Sequence, residues 1–248
     1  MTASDSSRRS SSHVHRNSVT NEILLRLPRN EFEIVSAELS LVEMPTRDVL
    51  NEIGESIRHA YFVNSGMVSI LSMMSGGKSV EVGLTGKEGF VGLPLVVGLS
   101  SSATRAVVQV AGFAFRLSAA SLARALRKSP NLEKSLNRYS QHLILQASQI
   151  AACNRLHRVE QRMARWLLMS QDRIGGDIVP LTQEFLSHML GTRRASVTVA
   201  AGALQTAGLV KYTRGSVTIV NRKQLQNAVC ECYKILIRQS QNWTAEAK

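Results

Sequence analysis

Two adjacent arginines, Arg193 and Arg194, are the side chains in this sequence best suited to specific recognition chemistry. They stand where a helix is expected to begin. A guanidinium on the first turn of a helix laid in a major groove can donate two parallel hydrogen bonds to guanine O6 and N7. Ser196 and Thr198, just beyond, carry hydroxyls that can reach phosphates or bases, and Arg214 can reach a phosphate from the tip of an expected hairpin. A bare Arg-Arg pair also fits the solvated face of a purely structural helix. The surrounding pattern decides between these readings.

Thr182 can cap a helix whose apolar stripe is Phe185, Leu186, Met189 and Leu190. Gly191 can end that helix in the left-handed conformation. Thr192 can then cap a second helix, with Val197, Ala200, Ala201 and Leu204 on its apolar side. Two short helices joined by a tight glycine turn make a helix-turn-helix, and small Ser187 sits where the two must approach. Beyond Gly208, residues 209–212 and 217–220 alternate as strands around Thr213-Arg-Gly-Ser216, which reads as a β-hairpin wing.

Charge agrees with this placement. The 248 residues carry a formal net charge of +12. Residues 21–115 hold seven basic and ten acidic groups, residues 116–154 six and one, and residues 155–248 fourteen and six. A slightly acidic front followed by a basic half fits a sensing domain joined to a nucleic-acid-binding one. Hydrophobic residues make up 44%, enough for a sizeable core in one large or two small domains. The longest apolar run, Phe90 to Leu99, contains a proline and is too short to span a bilayer. The Ser- and Arg-rich start has no apolar stretch behind it, so no secretory signal is expected. Three cysteines cannot form a full disulfide framework. The expected setting is the reducing cytoplasm, with no membrane partner.

Residues 1–20 read as a disordered tail. A short helix is expected from Asn21 to Leu27, closed by Pro28, and another from Asn30. Between Leu41 and Leu117, short apolar segments alternate with glycines. Residues 61–63, 67–74, 79–84, 106–110 and 113–117 read as strands, which suggests an all-β sandwich or jelly roll. Asn64-Ser-Gly66 and Ser75-Gly-Gly77 are plausible hairpin turns. The boundaries that follow are a jelly roll over 21–118, a long helix and linker over 119–157, and a winged helix-turn-helix over 158–248. The fold class is α+β.

The long helix opens at Pro130. Leu132, Leu136, Tyr139, Leu143, Gln146, Ile150, Cys153 and His157 recur at alternating spacings of four and three, an a/d seam over three heptads. A second copy of the same helix is the simplest partner for so narrow a seam, with Gln146 and His157 as polar breaks that fix register. The alternative is a helix packed on its own domain.

The segment from Leu181 through Arg193-Arg194-Ala-Ser-Val-Thr198 to Leu204-Gln-Thr-Ala-Gly-Leu209 resembles the helix-turn-helix of the Crp/Fnr family of bacterial transcription regulators. Tyr61-Phe-Val-Asn-Ser-Gly66 and Gly86-Lys-Glu-Gly-Phe-Val-Gly92 resemble that family's sensor. The resemblance implies a homodimer on a pseudo-palindromic DNA site, working with RNA polymerase. It implies guanine reading by Arg194 and phosphate contacts from Arg193 and Ser196. Ala195 stands where many members carry a base-contacting Glu, and Val199 where some carry a second Arg. Members that bind cyclic nucleotide use a Glu after the glycine matching Gly92 and an Arg-Ser pair on the next segment. Here those places hold Leu93 and Ser102-Ala103, and Arg105 lies out of phase. Tight binding of cyclic AMP is therefore not expected, because a buried phosphate would lack its bidentate arginine. No cysteine precedes Cys153, so the iron–sulfur branch is unsupported, and His59 is the one candidate for haem. No cofactor is expected, and the effector is unknown.

Other signals carry less. Gly77-Lys78-Ser79 echoes the end of a phosphate-binding loop, but Ser72 stands where the first glycine is required and a strand follows. With a helix running from Val229 to Gln239, Cys230 and Cys232 would point about 200° apart and could not share a metal. His157 beside Arg158 reads as a hinge or helix-surface residue rather than a ligand. No catalytic constellation is legible, so an enzyme is not expected. Two rivals remain: a non-specific, nucleoid-type DNA binder, and a jelly-roll protein acting on small molecules whose C-terminal domain serves assembly.

Overall fold

The computed structural model describes residues 14–245. The front of the chain is a sandwich of two four-stranded antiparallel sheets. One sheet runs in the order β1 (Ser40–Met44), β8 (Gly112–Ser118), β3 (His59–Val63), β6 (Phe90–Val91). The other runs β2 (Val49–Asn51), β7 (Arg105–Val110), β4 (Met67–Met73), β5 (Ser79–Thr85). The two-residue side-chain period of a strand sorts the core into layers. Val63, Val91 and Ala114 point between the sheets with Val68 and Val108. Their neighbours Phe62, Phe90 and Phe115 point the other way, toward helices α1 (Glu22–Leu25), α2 (Arg29–Ser36), α3 (Ala119–Lys128) and α4 (Pro130–Leu156).

Ser75-Gly-Gly77 forms the β4–β5 hairpin turn as expected. Asn64-Ser-Gly66 does not make a hairpin. It carries the chain from β3 in one sheet to β4 in the other, and those strands do not pair. Gly66 has a φ of 81°, and a Cβ there would lie 2.5 Å from the carbonyl oxygen of Val110. The expected disordered tail is also revised within the described residues. Arg16–Ser18 form a 3-10 turn and Val19 is buried. The amide of Thr20 donates to Asn64 Oδ1 at 2.7 Å. Residues 1–13 of that expected tail lie outside the described residues.

The long helix takes its expected course, but its seam faces its own chain. Leu132, Leu136, Tyr139, Gln146, Ile150 and Cys153 are buried within the chain, and Leu143 packs half-buried beside them. The polar members explain why. Gln146 Oε1 accepts the amide of Leu84 at 2.6 Å, and Tyr139 Oη bonds Thr85 Oγ1 at 2.9 Å, so both satisfy groups on β5. Gly89 makes room, since a Cβ there would sit 2.1 Å from Tyr139 Oη. The opposite face of α4 is bare. Ile144 and Leu145 are 55% and 46% exposed, and Leu156 is 74% exposed.

Beyond α4, helix α5 (Val159–Ile174) leads into a three-stranded sheet and a helix-turn-helix. Strand β9 (Ile178–Pro180) pairs with β11 (Ser216–Ile219), which pairs with β10 (Val210–Thr213), so the wing is a three-stranded sheet rather than a lone hairpin. Helix α8 (Arg222–Ala228) follows, then α9 (Cys232–Ala245). Helix α9 begins at Cys232, three residues later than the sequence suggests. Cys230 is thereby left in the preceding turn, and the expected 200° separation of the two cysteines does not arise.

Candidate nucleic-acid interface

Helix α6 (Gln183–Met189) opens under Thr182, whose Oγ1 accepts the amide of Phe185 at 3.2 Å. Gly191 breaks it with a φ of 55°. The turn is closed by Thr192 N–H donating to Ser187 C=O at 3.0 Å. Helix α7 (Arg194–Thr206) then begins, with Arg193 in the N-cap position. The expected cap, Thr192, does not serve. Helix α7 begins one residue later than expected, with Arg193 at its N-cap, and no side chain caps it.

One face of α7 is fixed by packing. Val197, Ala200, Ala201 and Leu204 are buried at helical spacing in a core shared with Met163, Trp166 and Leu167 of α5. The opposite face is bare. Arg193, Arg194, Ala195, Thr198 and Val199 are exposed, and Ser196 and Thr192 are half-buried. Val199 is 68% exposed although apolar, a side chain suited to a thymine methyl. Thr198 Oγ1 donates to Gln183 Oε1 at 2.8 Å, which ties the two helices together and brings Gln183 to the same surface. Sequence reasoning missed Gln183, because only the fold places the first residue of α6 beside the fifth of α7. The first turn of α7 holds no acidic residue. Its free amides, its dipole and two exposed guanidiniums together favour an anion.

Arg214 stands exposed at the wing tip, where Gly215 takes a φ of 86° and Thr213 Oγ1 bonds Ser216 Oγ at 2.7 Å across the turn.

The helix-turn-helix rests on the sheet sandwich. A Cβ on Gly191 would lie 3.0 Å from Val80 Cγ2 on β5. Met67, Leu71 and Leu84 of β4 and β5 join the α5–α7 core. Two polar contacts cross the same boundary. Trp166 Nε1 donates to Glu81 Oε1 at 2.9 Å, and Arg173 pairs with Glu88 at 2.8 Å with both side chains nearly buried. Burial pushes the Glu81 carboxyl up to about 7, against the opposing hydrogen bond from Ser69 and the charge of Arg165.

The residues expected around an effector are not gathered into one pocket. Gly92 has a φ of 114° and lies against Ala60, while Leu93 packs on the Phe62–Phe90–Phe115 layer. Arg105 is paired with Glu52 at 3.0 Å. The sandwich does hold a cavity of about 610 Å³, bounded by Asn51, Glu52, Arg58, His59 and Tyr61 among others, and none of Gly92, Leu93 and Arg105 lines it.

A jelly roll joined by one long helix to a winged helix-turn-helix is the architecture of a regulator that couples a sensing domain to a DNA-binding one. Residues 41–129 match the family described as the cyclic nucleotide-binding domain, and residues 161–228 match the Crp-like helix-turn-helix domain. The chain belongs to the Crp/Fnr family of transcription regulators. Among solved structures it is similar to FixK2 from Bradyrhizobium japonicum, at 17% identity and a TM-score of 0.66, covering 77% of this chain and 98% of that one. It is similar to the c-di-GMP responsive global regulator CLP of Xanthomonas campestris, at 19% identity and a TM-score of 0.64, covering 77% and 99%. A transcriptional regulator of the CRP/FNR family from Thermus thermophilus gives 20% identity and a TM-score of 0.61, covering 76% and 97%. At these identities the structural likeness concerns the fold. No curated protein sequence matches the chain. No helix among the described residues is long and apolar enough to cross a membrane.

Proposed function

We propose that this chain is a homodimeric, sequence-specific DNA-binding regulator of transcription that acts in the cytoplasm with RNA polymerase and has no catalytic role. The observation that carries the reading is the first turn of α7: exposed Arg193 and Arg194 on a helix whose other face is locked into a core. Arg194 reads guanine, Arg193 and Ser196 hold phosphate, and Ala195, Thr198 and Val199 meet the remaining base edges. Thr192 lies beside them, and Arg214 holds phosphate from the wing.

Dimerisation uses the bare stripe of α4 rather than the expected seam. Gln141, Ile144, Leu145, Ser148, Ala152 and Leu156 are spaced to line one face, and two of the three large apolar side chains exposed there sit at its middle. Pairing two such stripes in parallel would set the two recognition helices on either side of a two-fold axis at the same end of the dimer, as half-sites about one DNA turn apart require. The sensing domain acts without cyclic AMP. Leu93 and Ala103 supply neither the carboxylate nor the hydroxyl of a nucleotide pocket, and Arg105 is already paired with Glu52. Any effector shifts the molecule only by binding one interdomain arrangement better than another.

Fluorescence anisotropy on the full chain tests the reading. Labelled fragments of promoter DNA are competed with random-sequence DNA at moderate salt. A specificity ratio of roughly 10³ or more is the expected result. A ratio near one would support the non-specific binder that the +12 charge also allows.

A further inference from the structure

The three cysteines of the chain converge with one histidine where α4 ends. Cys153 lies on the last full turn of α4 and His157 caps it four residues on, so both face the same side. Cys230 lies in the turn before α9, and Cys232 opens that helix. The three Sγ atoms and a ring nitrogen of His157 all lie within 4.8 Å of one another. Cys153 Sγ is 3.6 Å from Cys230 Sγ, and Cys232 Sγ is 3.6 Å from His157 Nδ1.

Two of the six donor–donor distances match the edges of a coordination tetrahedron, and none of the six exceeds 4.8 Å. Bonds of about 2.3 Å to sulfur and about 2.05 Å to nitrogen give S···S edges of about 3.8 Å and S···N edges of about 3.6 Å. A disulfide would hold its sulfurs at about 2.05 Å. An iron–sulfur cluster would spread its ligands over separate irons and needs more room than this. Three thiolates and an imidazole are soft donors that suit zinc, and four protein ligands close its shell.

The surroundings match. His157 turns Nδ1 to the sulfurs and holds Nε2 3.2 Å from Glu231 Oε2, the carboxylate–histidine arrangement that orients a metal ligand. Gln149 Nε2 donates to Cys232 Sγ at 3.1 Å. A divalent ion on three thiolates leaves one net negative charge. Arg162 and Arg165, both buried, act electrostatically on Cys153, and neither is within ion-pair distance of a carboxylate among the described residues.

We propose that Cys153, His157, Cys230 and Cys232 bind one Zn²⁺ ion, a structural clamp that ties the end of α4 to the start of α9. The clamp closes over the His157-Arg158 junction, where the sensing half hands over to the winged domain. It therefore fixes the direction in which α5 leaves α4. Zinc occupancy does not depend on the DNA-binding reading; only the consequence for DNA does.

The test uses the full chain purified under anaerobic, reducing conditions. Elemental analysis by mass spectrometry is expected to find about one zinc per chain. Replacing zinc with Co²⁺ should give the intense visible absorption of tetrahedral thiolate coordination. Cys230→Ser/Cys232→Ser should remove zinc to below about a tenth of an equivalent, and Glu231→Gln should weaken it roughly 10- to 100-fold. If the cysteine variant fails to fold, wild-type protein stripped by chelator and still helical by circular dichroism is titrated with Zn²⁺, and uptake of one equivalent is expected. Metal-free protein as isolated, a Cys153–Cys230 disulfide in its place, an octahedral Co²⁺ spectrum, or folded stripped protein that refuses zinc would each overturn the proposal. Zinc bound stoichiometrically without any effect of its removal on DNA affinity would keep the site and contradict its role at the junction.

Discussion

Glu81 offers a sharp test of how the two halves of the molecule are joined. Its carboxylate lies on β5, buried, held by Ser69 Oγ at 2.7 Å and by the Trp166 indole of α5 at 2.9 Å. Burial raises it from 4.5 to about 7. The folded chain thus binds this proton more tightly than the unfolded chain does. The sign follows: the stabilisation is fully present below about pH 4.5 and is lost as pH rises through about 7. At about 1.36 kcal/mol for each tenfold change in proton affinity, the full effect is about 3 kcal/mol. Between pH 5 and pH 8 it is about 2 to 3 kcal/mol. Glu81→Gln keeps both partners, because the amide oxygen accepts from the indole and the amide N–H donates to Ser69, and it removes the titration. Urea unfolding followed by circular dichroism, on both proteins at half-unit steps of pH, measures the difference. The wild type should fall behind the variant by that amount as pH rises. Parallel pH profiles would refute the reasoning, as would a variant that loses more stability at pH 8 than at pH 5.

Arg194→Ala should cost about 1–3 kcal/mol of binding and relax the guanine preference, read by competition with base-substituted sites. Arg214→Ala should weaken all sequences alike and flatten the dependence of log affinity on log salt. Leu145→Asp, on the bare face of α4, should convert dimer to monomer in sedimentation equilibrium, whereas Leu136→Asp, on the inward face, should unfold the chain. Calorimetry with cyclic AMP should show no binding at micromolar ligand.

Much of the layered front was readable because short apolar segments of strand length are set off by glycine turns. Phe62 and Val63 point to different layers, as do Ala114 and Phe115, and the same two-residue period is visible in the letters. Strands β1, β2 and β6 escaped because all three lie at sheet edges, β2 and β6 are only three and two residues long, and Leu41 on β1 is 55% exposed, so their alternation carries little signal. The α4 seam teaches a different lesson. Periodicity shows that one face of a helix is buried and says nothing about what buries it. Gln146 looks like a register-setting polar break, yet it accepts the amide of Leu84 on the chain's own sheet, and Tyr139 beside it bonds Thr85 there. The recognition turn was legible down to Arg193 and Arg194, since capping, a left-handed glycine and an apolar stripe are all local. Only the N-cap moved by one residue, from Thr192 to Arg193. The thiol cluster was illegible for the opposite reason. It joins positions 77 residues apart, and starting α9 at Val229 instead of Cys232 is enough to turn Cys230 away.

Selection of bound fragments from a random DNA library by the full-length chain addresses the central claim most directly. The account requires an enriched two-fold-symmetric motif, with half-sites about 10 base pairs apart and a guanine in each half that loses enrichment in Arg194→Ala. Enrichment of no motif, or of one that survives Arg194→Ala unchanged, would contradict it.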